Sequence, residues 1–217
     1  MARRRFRIRF SKLGRLKFIG HIDLLRTLEL LFRRAKLPIA MSCGFHPKMR
    51  MSFPSALGLG FGSLDEVLDL EMQEQAGVMD ADNLLHLLNQ HTIEGLTFLS
   101  ARLLGENEKK AKLLASIFQT NIPAAYQKHT ADKIETFMKE SSIPVTKSAG
   151  RMVDVRQAVL QMSFDSSTGC LTIELQTQAG PEAGIKEVLA ALGLEKELFV
   201  SIFPQRVRCR LAEETGH

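Results

Sequence analysis

Two histidines stand where this chain could do chemistry. An imidazole titrates near neutral pH and can pass a proton beside a bound phosphate. His21 precedes Asp23 at the start of an apolar-periodic stretch, with Lys17 before it and Arg26 after it. His46 lies in the run Ser42-Cys-Gly-Phe-His-Pro-Lys-Met-Arg50, where Lys48 and Arg50 add charge and Phe45 adds a ring. Cations for phosphate and a flat face for a base are what single-stranded nucleic acid requires. Each residue also has a plainer reading. His21 and Asp23 suit a helix start whose free NH groups are partly capped. The chain has no Trp and one Tyr, so aromatic surface is scarce and core packing is expected for Phe45 and Phe53.

The charge distribution favours a polyanion. Residues 1–55 hold fourteen Lys and Arg against Asp23 and Glu29, a balance of +12, whereas the remaining 162 residues come to −7. Segregated charge builds a potential that a mixed surface would cancel, and RNA is the natural partner. Arg5, Arg7 and Arg9 form a ladder on one side of an alternating stretch. Asp69 and Glu71 project to the matching side of a later strand, so cross-strand ion pairs compete with RNA for the ladder. The candidate nucleic-acid contacts are therefore Arg5, Arg7, Arg9, Lys17, His21, Arg26, Phe45, His46, Lys48 and Arg50.

Other chemistries find little support. Cys43, Cys170 and Cys209 are scattered, without C-x-x-C or iron–sulfur spacing. The six His are equally dispersed, so neither a metal nor another cofactor is expected. No apolar run nears the ~20 residues that a membrane helix needs. The N-terminus lacks a signal-peptide core, and the thiol pattern suits a reducing compartment, so a cytoplasmic location is expected. Gly58, Gly60 and Gly62 lack the Lys-Ser/Thr of a phosphate loop and read as a turn into a strand.

The elements that must position these residues follow from periodicity. Arg5–Phe10 alternates as a strand, and Ile22–Ala35 has helical spacing that stops at Pro38. Ser42–Gly62 reads as a long connection, Glu66–Met72 and Leu96–Leu103 as strands, and Asp80–His91 as a helix. The polar Gly105–Lys112 suggests a boundary, giving domains 1–106 and 107–217. In the second half, Leu113–Asn121 reads as a strand and Thr130–Glu140 as a helix. Val155–Phe164 and Cys170–Gln176 suit a hairpin around Ser166–Gly169, with Pro181–Leu192 a helix and Phe199–Leu211 a last strand. Asp154 and Arg156 read as a structural pair. The order predicts an α+β protein of two ferredoxin-like units, each an antiparallel sheet with helices on one face.

Several motifs are similar to one family. They are Arg9-Phe-Ser-Lys-Leu-Gly-Arg-Leu-Lys-Phe18, Gly20-His-Ile-Asp-Leu-Leu-Arg26, Arg33-Arg-Ala-Lys-Leu-Pro38, Ser42-Cys-Gly-Phe-His-Pro47, Ser52-Phe53, Leu57–Gly60, Glu66–Met72 and Val153-Asp-Val-Arg156. Together they resemble the radical-SAM-linked proteins, a bacterial domain of unknown function found alone or fused to radical SAM proteins. The family usually carries Ser where Gly20 stands and Asn where His46 stands. His-Pro is frequent at Lys48-Met49, as is Pro at Gln157. The resemblance implies a radical SAM partner and, with the charge pattern, an RNA-binding or adaptor role in RNA modification. Two alternatives stay open. One is a metal-independent endoribonuclease resembling CRISPR repeat-processing enzymes, with His21 as acid or base. The other is a pure protein-interaction module docking a radical SAM protein.

Overall fold

A computed structural model describes residues 3–73, 79–147, 150–177 and 183–212. The fold is mixed α+β, with antiparallel strand pairs and five α-helices among the described residues. It divides into two compact units, Met1–Lys112 and Leu113–His217.

The first unit contains β1 (Arg3–Lys12), α1 (His21–Arg34), β2 (Met51–Ser52), β3 (Gly62–Gln73), α2 (Ala81–Gln90) and β4 (Leu96–Leu103), with a 3₁₀ turn at Gly14–Phe18. Its strands lie in the order β4-β1-β3, and β2 pairs with the far side of β3. Alternation explains the packing. Phe6, Ile8 and Phe10 of β1 pair with Leu70, Leu68 and Glu66 of β3. The two strands thereby send one apolar face against Leu24, Leu28, Leu31 and Phe32 of α1 and Leu84 and Leu88 of α2. All six helical residues are at most 3% exposed. Full burial of side chains this size contributes about 1.5–3 kcal/mol each. Helix α2 starts where Asp80 accepts from Asn83 N at 2.7 Å, a capping contact.

The 105–111 segment belongs with the first unit because two residues of its sheet grip it. Arg5 Nη2 donates to the Gly105 and Glu106 carbonyls at 3.0 and 3.2 Å, and Ala111 N donates to Asp69 at 2.7 Å.

The second unit contains β5 (Leu113–Asn121), α3 (Ala124–Lys139), β6 (Pro144–Thr146), β7 (Met152–Asp154), α4 (Val155–Ala158), β8 (Val159–Asp165), β9 (Cys170–Gln176), α5 (Ile185–Ala191) and β10 (Gln205–Leu211). Its strand order is β10-β5-β9-β8, with β6 and β7 paired separately. Three elements differ from expectation. Val155–Ala158 is a helical turn rather than strand, because Asp154 Oδ1 accepts from Arg156 N at 2.9 Å and caps it. That carboxylate also accepts from Ile143 N at 3.0 Å, so Asp154 serves backbone donors rather than the Arg156 guanidinium. The last strand starts at Gln205 because Phe199 takes φ 63 and its NH donates to Ile202 O, closing a turn where strand was expected. Helix α3 begins six residues before Thr130. Residues 181 and 182, expected to open α5, lie outside the described residues.

Candidate nucleic-acid interface

The arginine ladder is largely committed to the fold. Arg7 forms a two-pronged ion pair with Asp69, Nε to Oδ1 at 2.7 Å and Nη2 to Oδ2 at 2.9 Å, with side chains 4% and 6% exposed. Arg9 grips both oxygens of Asp65 at 2.6 Å. Arg5 spends Nη2 on backbone carbonyls of the 105–108 segment. The expected cross-strand neutralisation therefore occurs at Arg7, while Glu71 turns instead to Arg3 and Arg50. With the β3 acids counted, the first unit carries 18 bases and 12 acids, +6, and the second 11 and 12, −1. Exposed Arg15, Arg33, Arg34, Lys36 and Lys48 form no ion pair with a described residue.

The Ser42–Gly62 connection is more ordered than its composition suggests. Ile39 bridges Met72, Met51 pairs with Leu70, and Met41 bridges Met49. Ala40 N donates to Glu71 O at 2.9 Å, Glu71 N to Arg50 O at 2.9 Å, and Arg50 N to Ala40 O at 2.8 Å. Both legs of a hairpin thus clasp the edge of β3. Ser42 closes the loop: its NH donates to Lys48 O at 2.8 Å and its Oγ accepts from Lys48 N at 2.9 Å. Between these clasps every residue from Cys43 to Pro47 is exposed, and Gly44 takes φ 127, where a side chain would be strained.

At that tip Phe45 is fully exposed, with relative exposure of 102%. The core packing expected for Phe45 does not occur, because the legs pair with β3 and carry the tip off the core. Phe53 does pack inward, edge-on to Phe10 with ring centroids 6.3 Å apart. His46 and Lys48 follow Phe45 and are exposed. Arg50, at the root, pairs with Glu71 and holds that carboxyl below the usual carboxylate range. Charge and an open ring are thus combined at Phe45, His46 and Lys48.

The start of α1 is arranged differently. Gly20 is its N-cap and makes no side-chain cap bond, while Asp23 lies in the first turn as expected. Asp23 pairs with Arg26 at 3.3 Å on an exposed face. The His21 ring meets Phe53 edge-on at 5.2 Å, which ties the helix start to the long connection. Lys17 lies over the exposed Phe18 ring at 4.9 Å.

Sequence reading missed Lys12. It is 1% exposed, and its Nζ donates to Ile19 O at 2.9 Å just before α1. Burial pushes its pKa down, opposed by the Glu66 carboxylate. The signal was present: continuing Phe6, Ile8 and Phe10 by two puts Lys12 on the inner face.

Among the described residues no three His, Cys, Asp or Glu gather as metal ligands, and no helix is long and apolar enough to cross a membrane.

These features define a mixed α+β protein that presents an aromatic, basic hairpin. Residues 5–187 match the model of a family described as an uncharacterized protein conserved in bacteria (DUF2344), and the chain belongs to that family. No curated protein matches. Among solved structures, an unknown protein from Galdieria sulphuraria is similar at 10% identity. That match covers 97% of this chain and 99% of the other, with a TM-score of 0.27.

Proposed function

We propose that this chain binds single-stranded RNA through the first unit and serves as an adaptor for a radical SAM partner in RNA modification. The observation that carries the RNA reading is Phe45, fully exposed at a clasped hairpin tip and followed by the exposed His46 and Lys48. A ring in that position costs apolar exposure without contributing to the core, and stacking against a base recovers it. Lys48 and His46 then meet the flanking phosphates. Arg7 and Arg9 position β1 against β3 rather than RNA. The radical SAM partner rests on the motif resemblance alone. We read each unit as ferredoxin-like, a reading supported by the strand orders β4-β1-β3-β2 and β10-β5-β9-β8.

Ultraviolet crosslinking of the full chain to a short single-stranded RNA, followed by peptide mapping, tests the RNA reading. Crosslinks should fall within residues 42–50. Crosslinks confined to other segments, or none, contradict it. RNA shortening during the incubation would favour the endoribonuclease instead. Co-purification with a radical SAM protein but no RNA crosslink would favour the interaction module.

A further inference from the structure

At the root of the hairpin lies an open cavity of about 220 Å3 in the first unit. Its wall carries three kinds of polar group. Arg5, Arg50 and Lys110 supply positive charge, Asp69 and Glu71 supply carboxylates, and Ser42 and Ser52 supply hydroxyls. Met49 and Met51 add an apolar side. Drug-sized ligands occupy roughly 300–1,000 Å3, so this space suits one sugar-phosphate unit rather than a larger molecule.

We propose that the cavity is a ribonucleotide subsite that distinguishes RNA from DNA; this rests on the RNA-binding reading above. The Glu71 carboxylate chooses the ligand, since Asp69 is taken up by Arg7 and the Ala111 NH. A site for bare phosphate gains nothing from acidic walls, whereas a sugar hydroxyl can donate to them. Glu71 has capacity for that bond, because among the described residues its Oε1 accepts one contact, from Arg50 Nη2 at 3.3 Å. Lys110 is exposed and near enough to Glu71 to lower its pKa. Lys110 and Arg50 meet the phosphate, and the ribose 2′-hydroxyl donates to Glu71. The 2′-hydroxyl is the group by which a protein tells the two nucleic acids apart. The cavity shares Ser42 and Arg50 with the hairpin, so a strand stacked on Phe45 continues into it.

Equilibrium binding of the full chain to a short single-stranded RNA, to DNA of the same sequence and to the 2′-O-methyl RNA tests the subsite. RNA should bind about tenfold more tightly than either analogue, the worth of one hydrogen bond to a charged acceptor. Glu71→Gln should move that ratio toward one. Lys110→Ala should weaken RNA and DNA alike and keep the ratio. The methylated RNA makes the test independent of any loss of folding in Glu71→Gln, on which Arg3 and Arg50 lean. Equal binding of RNA, DNA and methylated RNA overturns the subsite and leaves the hairpin reading standing. Binding of none of the three overturns both.

Discussion

Single residues separate charge that builds the fold from charge that is available to a ligand. Arg7 and Asp69 form a buried pair, so removing either strands the other in a dry setting. Arg7→Ala should lower stability by about 3–5 kcal/mol in urea unfolding, and a loss below about 1 kcal/mol would contradict the pairing. Lys12 gives a prediction in pH. Its folded pKa lies below 10.5, so at neutral pH folding works against the charged ammonium. That penalty lifts as pH rises through the folded pKa toward 10.5. Thermal melts of wild type and Lys12→Met should therefore show wild type gaining relative stability over that climb. A difference independent of pH would mean that Lys12 is not desolvated. The β1 ladder was legible as a strand face. Which acid each arginine chose was not, since Arg9 reaches Asp65 and Glu71 reaches Arg50.

At the scale of elements, strong periodicity was readable and local chemistry was less so. The α1 and α2 helices and the β1, β3 and β4 strands follow from apolar spacing that serves a common core. The α4 turn was lost because Val153–Val159 has the composition of a strand, and a single carboxylate decides otherwise. Asp154→Ala should therefore destabilise by about 0.5–2 kcal/mol in chemical unfolding, whereas an unchanged midpoint would leave α4 without its cap. The Phe45 environment was illegible for another reason. A Phe in a Gly- and Pro-containing loop reads alike whether it points inward or out, and the decision comes from leg residues that pair with β3. Phe45→Ala should leave the melting temperature unchanged because the ring packs against no core residue. It should weaken single-stranded RNA binding by about 1–3 kcal/mol, the usual worth of a base–aromatic stack. A fall in melting temperature with unchanged binding would assign Phe45 to the fold.

For the molecule as a whole, the +12 of residues 1–55 overstates the field, because β3 returns acids to the same sheet. Linear counting missed this because the neutralising residues lie beyond residue 55: Asp65 and Asp69 reach Arg9 and Arg7 of the ladder, and Glu71 reaches Arg3 and Arg50, only once β3 lies beside β1 and the hairpin. The remaining +6 of the first unit still favours a polyanion. The most direct measurement is the affinity of the full chain for a short single-stranded RNA across a salt series, with wild type beside Phe45→Ala/Lys48→Ala. Wild-type log affinity should fall linearly with log salt, by about 0.7 per phosphate neutralised. The double variant should bind more weakly at every salt, with a slope shallower by about 0.7 for the lost lysine. A salt-independent affinity, or a double variant that superimposes on wild type, would contradict RNA binding through the hairpin.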